Sequence, residues 1–252
     1  MQIDQVIPEL RGTAGFGATR IAARSGVSRP TVYRMLGGAS PRIDDLRELA
    51  IAAGFDLDVT LSVLSDPLAA VAARSRLGDD RLDEWADPAS EWVARLERFV
   101  GTAEHADAAA VIAEAGVAAG PLHRDGTVLL TADTWDIDRL VSAGRASNAP
   151  WALSGWAALD ALGIGDGIVA PTIVWTEDPR AFAQLLGDTF RRGRGEAVDV
   201  AVAVVPAHPS VFIGATEIEA VHLVDPLQGL IDAAGLGEPA RSAVAQYARG
   251  GR

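Results

Sequence analysis

Residues 18–38 read ATRIAARSGVSRPTVYRMLGG. Two short helices joined by a sharp turn account for this stretch. Ala18 to Ser25 places Ile21 and Ala22 on one face. Gly26-Val27 turns the chain, and Ser28 can cap a second helix that runs to Leu36. Pro30 falls in the first turn of that helix, where its missing N–H does little harm. Gly37-Gly38 ends it. Two helices crossing steeply around a tight turn need a small residue at the crossing point and a glycine able to take positive φ. Ala22 meets the first demand, and Gly26, four positions on, meets the second. Ile21, Val27, Val32 and Met35 would anchor both helices, leaving Ser28, Arg29, Thr31, Tyr33 and Arg34 outward.

The flanking residues extend the pattern. Gln2 to about Thr13 forms an earlier helix with Ile3, Val6, Ile7 and Leu10 on one face. Ser40-Pro41 opens a fourth helix whose apolar stripe is Ile43, Leu46, Leu49, Ala50 and Ala53, stopped by Gly54. Phe55, Leu57, Val59 and Leu61 then alternate with Asp56, Asp58 and Thr60, as in a short strand or extended tail.

Residues 18–38, with Pro41-Arg-Ile-Asp-Asp-Leu46-Arg-Glu-Leu49-Ala50 and Gly54 following, resemble the XRE (Cro/C1-type) family. Its members pair an Ala-x-x-x-Gly-Val-Ser turn with a later Pro-x-x-x-x-Leu-x-x-Leu-Ala-x-x-x-Gly helix. Met35-Leu36 stands where many members carry Ile-Glu, which removes an acid and keeps the packing. The resemblance implies a recognition helix in the major groove and dimers on palindromic operators. It assigns Arg29 and Arg34 to guanine or phosphate contacts and Ser28 and Thr31 to base edges or phosphates. Tyr33 would lie along the backbone, with Arg20, Arg24 and Arg42 as phosphate clamps. The plainer alternative is a solvated, arginine-rich helical face.

Charge bears on the choice. The 252-residue chain has a formal net charge of −12, no lysine and no cysteine. Between Arg11 and Ile43, however, stand six arginines and no acid. Residues 1–65 carry seven acids and seven arginines, so the rest of the chain holds the whole deficit. Phosphates sense the local field, because salt screens charges beyond roughly 10 Å at 0.1 M. Lack of cysteine excludes disulfides and thiolate chemistry. No run reaches the roughly 18 apolar residues of a membrane span, and the N-terminus has no basic-then-apolar leader. The expectation is a soluble cytoplasmic protein that does not engage a membrane.

Downstream, residues 65–88 read as a linker or a loosely structured helix, Ala-rich to Ser75 and then acidic. Residues 89–252 read as a larger α+β domain. Helices are expected over Ala89–Val100, Ala106–Ala118, Ile137–Ala143, Ser154–Leu162, Pro179–Leu186, Pro226–Ala234 and Glu238–Ala248. Strands are expected over Gly126–Thr131, Ile168–Trp175 and Val198–Val205. The fold class is therefore α+β, an all-α helix-turn-helix domain over residues 1–64 followed by a mixed domain. The stretches Trp151-Ala-Leu-Ser-Gly-Trp156-Ala-Ala-Leu159, Pro171-Thr-Ile-Val-Trp175 and Val221-His-Leu-Val-Asp-Pro-Leu-Gln-Gly-Leu-Ile-Asp232 resemble AbiEi-type antitoxin regulators. Those regulators usually open with a winged helix, which this chain does not. The resemblance implies an autoregulating antitoxin with a cognate toxin as partner; binding a small-molecule effector, or only another copy of itself, are the other roles open to this domain.

Enzymatic signatures are weak. Asp136 and Asp138, two apart after a predicted strand, would share a face in an extended segment, as a two-metal dyad requires. The Gly-Ser pair that should precede such a dyad is absent, and acids at a helix start are ordinary dipole partners. The four histidines, His105, His123, His208 and His222, lack metal-binding spacing, and no phosphate-binding or nucleophile motif is present. Six tryptophans against two tyrosines fit core packing, with an aromatic ligand pocket as the alternative. The sequence thus predicts no catalysis, cofactor or metal, and instead a dimeric repressor of transcription bound to double-stranded DNA.

Overall fold

A computed structural model describes residues 3–12, 17–102, 107–193 and 200–250. Gln2, Thr13, His105, Ala106 and Val198, and the side chain of Ile3, lie outside the described residues. The chain divides into two compact units, Met1–Ser62 and Val63–Arg252. Among the described residues there are twelve α-helices and one seven-stranded sheet, an α+β architecture.

The N-terminal unit is helical: α1 (Ile3–Gly12), α2 (Ala18–Ser25), α3 (Arg29–Leu36) and α4 (Ile43–Ala53). Val6 and Leu10 of α1, Ile21 and Ala22 of α2, Val32 and Met35 of α3, and Leu46, Leu49 and Ala50 of α4 form one buried cluster. Helix α4 begins two residues later than the Ser40-Pro41 signal suggests. Arg42 takes the extended N-cap position and supplies no side-chain cap. Ile43 does not join the apolar stripe but stands 53% exposed, and Ala52 is buried. The alternating segment after Gly54 makes no strand within the chain.

The C-terminal unit begins at Val63, and residues 65–88, expected as a linker or a loosely structured helix, belong to it as packed helices and not as a linker. Asp66 accepts the Leu68 N–H at 3.0 Å and caps α5 (Pro67–Arg76). Residues Ala69 to Arg74 are all buried. A one-turn-and-more 3-10 segment, Asp80–Trp85, leads into α6 (Ala86–Val100). Alanine-rich sequence here means close helix packing, because small side chains let α5 sit at the centre of a bundle. Around it lie α6, α7 (Ala108–Ala119) and the helix Pro226–Ala234, and the last helix of the chain packs on α7 in the same core.

The sheet is built from β1 (Val128–Thr131), β2 (Trp151–Gly155), β3 (Thr172–Thr176), β4 (Arg191–Arg192), β5 (Val202–Pro206), β6 (Thr216–Ile218) and β7 (Val221–Leu223). Its order is β4-β1-β5-β3-β2-β7-β6. The central β5–β3 pair and the β2–β7 pair are parallel and the other pairs antiparallel, so the sheet is mixed. Successive residues face opposite sides of a strand. Val174, Val202 and Val204 accordingly pack on one face with Leu140 of α8 (Ile137–Ala146) and Phe182 of α10 (Pro179–Leu185). Ile173, Trp175, Ala203 and Val205 point to the other face. There Trp175 reaches α11 (Pro226–Ala234). The chain closes with α12 (Ala240–Gly250).

Ser154 belongs to β2 and not to a helix, contrary to the sequence reading. All five residues of β2 are buried, and Gly155, at φ 66°, breaks the strand before the short α9 (Trp156–Ala161). Likewise β3 starts at Thr172, so Ile168 to Pro171 precede it as loop. No helix of the described residues is long and apolar enough to cross a membrane.

Candidate nucleic-acid interface

Gly26 closes α2 with φ 72° and ψ −4°, the left-handed conformation that glycine adopts without a Cβ penalty. The turn is tied by the Val27 N–H, which donates to Ser25 Oγ at 3.2 Å inside the unit. Ser28 then caps α3: its Oγ accepts the Thr31 N–H at 3.3 Å and lies 2.8 Å from Thr31 Oγ1. Ile21, Ala22, Val27, Val32 and Met35, the five residues expected to lock the helix pair, are all buried.

That packing fixes what α3 shows outward. Ser28, Arg29, Tyr33 and Arg34 are exposed and Thr31 is half-buried. Arg20 and Arg24 are exposed on α2, and Arg42 is exposed just ahead of α4. None of these five arginines forms an ion pair among the described residues, and Arg34 Nη2 donates to Thr31 Oγ1 at 3.4 Å. Arg11 is different. Its guanidinium donates to the Leu36 carbonyl and fastens α1 to the end of α3.

A cleft of about 420 Å³ runs between α3 and α4, lined by Thr31, Arg34, Ala39, Ser40, Arg42 and Asp45 among others. Sequence reading named Arg34 and Arg42 but not their convergence, because Gly37-Gly38 and the loop to Arg42 set it. The cleft offers two guanidinium groups, two hydroxyls and the uncapped N-terminal N–H groups of α4, donors suited to phosphate oxygens. Asp44 and Asp45 in the first turn of α4 partly offset that field.

The other expected residues take structural places. Asp136 caps α8, its Oδ1 accepting the Arg139 N–H at 3.0 Å, and Asp138 lies in the first helical turn. The extended geometry of a two-metal dyad is therefore not present at this pair. No group of three His, Asp or Glu side chains able to hold a metal occurs among the described residues. His208 caps a 3-10 turn through Nδ1, and His222 pairs with Glu217 at 3.2 Å. Trp92 and Trp175 are buried, whereas Trp135 and Trp156 edge an open groove of about 550 Å³.

One cluster gave no sequence signal. Arg74 is wholly buried, and its Nε and Nη2 donate to Asp79 Oδ2 at 3.0 and 2.6 Å. Its guanidinium also donates to the carbonyls of Ser210 and Ile213, and Arg81 bridges Asp79 Oδ1 to Asp225 Oδ2 at 2.7 and 2.5 Å. Burial alone would raise the Asp79 carboxyl, but hydrogen bonds from Arg81 and Arg74 hold it down at about 2. Nearby, burial raises the Asp232 carboxyl, against donors from Ser154, Trp175 and Gln228. These groups staple α5 and α11 to distant loops.

No family model, curated protein or solved structure matches the chain.

Proposed function

We propose that this protein is a sequence-specific DNA-binding regulator of transcription, a dimeric repressor that acts in the cytoplasm on an inverted repeat. The observation that carries the reading is the outward face of α3. Its helix pair is locked by five buried residues and a left-handed Gly26, while Arg29, Tyr33 and Arg34 stay exposed and out of ion pairs. Arg29 and Arg34 would contact guanine edges or phosphates, and Thr31 adds a hydroxyl at the same groove. Arg20, Arg24 and Arg42 would hold phosphates and set register without reading bases. The acid-free window from Arg11 to Ile43 keeps this field positive although the whole chain is acidic.

Fluorescence anisotropy with a labelled random-sequence duplex tests the reading. Binding should weaken steeply as salt rises, since it would rest on counterion release. The double variant Arg29→Ala/Arg34→Ala should lower affinity at least tenfold with an unchanged circular dichroism spectrum. Equal affinity of the variant and the parent chain would refute the assignment of α3.

A further inference from the structure

Between α4 and α5 runs the segment Phe55-Asp-Leu-Asp-Val59-Thr-Leu-Ser-Val63-Leu-Ser-Asp66. It contains neither Gly nor Pro, unlike a flexible or stiff linker. Apolar Phe55, Leu57, Val59, Leu61 and Val63 alternate with polar Asp56, Asp58, Thr60 and Ser62, the pattern of a strand with one covered face. Within a single chain that pattern is unused. Residues 55–66 form neither helix nor strand. From residue 56 to 65, no backbone N–H or C=O bonds another backbone group among the described residues. Leu57 touches the helical core of the N-terminal unit. Phe55, Val59, Leu61 and Val63 are exposed, Leu61 fully so. Open backbone groups beside exposed apolar side chains are a template for pairing with another strand.

We infer that residues 55–63 are the symmetric contact of a homodimer, pairing antiparallel with the same residues of a second copy about a two-fold axis at Val59. The inference rests on the dimeric reading above and names its contact surface. Charge and polarity select the register. Centred on Val59, the pairing sets Phe55 against Val63 and Leu57 against Leu61, and it sets Asp56 against Ser62 and Asp58 against Thr60. Every apolar residue meets an apolar one, and no carboxylate faces another. A parallel in-register pair would stack Asp56 on Asp56 and Asp58 on Asp58, which like-charge repulsion disfavours. Centring on Asp58 makes the same clash, and centring on Thr60 sets Asp56 against Leu64. An antiparallel self-pair also supplies the two-fold symmetry that an inverted repeat demands.

The absence of native cysteine makes the test clean. Directly opposed residues of an antiparallel pair lie within disulfide range. Oxidised Val59→Cys should therefore run as a covalent dimer far faster than the exposed control Ser90→Cys. A mixture of Leu57→Cys and Leu61→Cys chains should cross-link more than either alone. In sedimentation experiments without DNA, Val59→Asp should raise the dimer dissociation constant at least tenfold at unchanged helical signal. A chain that stays monomeric at all concentrations overturns the proposal. So does a dimer indifferent to Val59→Asp whose Val59→Cys form cross-links no faster than the control. Because no DNA is present, these outcomes are separate from those of the Arg29 and Arg34 variants.

Discussion

The Ser28 Oγ lies 2.8 Å from the Thr31 Oγ1 and accepts the Thr31 N–H at 3.3 Å, so the two residues close the N-terminus of α3 on each other. Arg34 Nη2, at 3.4 Å from Thr31 Oγ1, continues the line along one helical face. Capping and the proposed DNA contact thus fall to the same few side chains, and substitutions can separate them.

Ser28→Ala removes the cap and should lower the stability of the N-terminal unit by about 1 kcal/mol. Ser28→Asp keeps an efficient cap and should melt at or above the parent temperature. Its carboxylate, however, would stand where phosphates are expected, so its DNA affinity should fall below that of Ser28→Ala. Thermal melts paired with anisotropy titrations check both halves.

Arginines that hold phosphates and arginines that read bases should differ in salt response. Replacing Arg20 or Arg42 by alanine should weaken binding uniformly across sequences and reduce the salt slope by about 1 for each lost phosphate contact. If Arg29 or Arg34 reads a base as proposed, replacing it should cost about 1–3 kcal/mol at its own position in the site and relax preference there. Titrations over several salt concentrations, on cognate and altered duplexes, give both slopes.

In the C-terminal unit, Asp79→Asn strips the buried Arg74 of its carboxylate and should destabilise folding by about 3–5 kcal/mol at neutral pH. The sign of the pH effect follows from the lowered carboxyl. In the folded chain it titrates near 2 against an ordinary value of 3.8. Its stabilisation is present above about pH 4 and lost as pH falls toward 2. Asp232, raised by burial, works the other way: its contribution fades as pH rises through its folded value. Urea melts of the parent and of Asp79→Asn should therefore converge between pH 4 and 2. A gap that stays constant over that range would refute the pairing.

Glycine contacts give a contrast of magnitudes. At Gly26 an added Cβ meets nothing within 4 Å, so Gly26→Ala carries only the backbone strain of φ 72°, about 1–2 kcal/mol. At Gly116 a Cβ would lie 2.6 Å from the Ile231 carbonyl oxygen and 2.8 Å from the Gly235 nitrogen, both backbone. Gly116→Val should force α7 and α11 apart and destabilise the C-terminal unit by more than Gly26→Ala destabilises the N-terminal one. Denaturant melts of the two variants measure the order.

What the sequence revealed was what local chemistry determines. Gly26 at the turn, Ser28 at the cap, Gly54 after α4 and the Pro226–Ala234 helix each follow from residues within one helical turn of each other. The packing of the stretch 65–88 was illegible for the opposite reason. Its alanines show no amphipathic stripe, since α5 is buried on all sides. Arg74 and Asp79 look like surface charge until Ser210, Ile213 and Gln228 arrive from far along the chain. Ser154 was likewise misread, because a short strand buried on both faces lacks the period that separates it from a helix. At the interface, single residues could be named, but the cleft joining Arg34 to Arg42 depends on the path of the intervening loop.

The central claim is that α3 reads DNA, and selection from a random duplex library by the full chain tests it most directly. The account predicts enrichment of an inverted repeat whose half-site centres lie about 34 Å apart, one helical turn, and loss of that enrichment in Arg29→Ala/Arg34→Ala. No enriched motif, or the same motif selected equally well by the double variant, would contradict it.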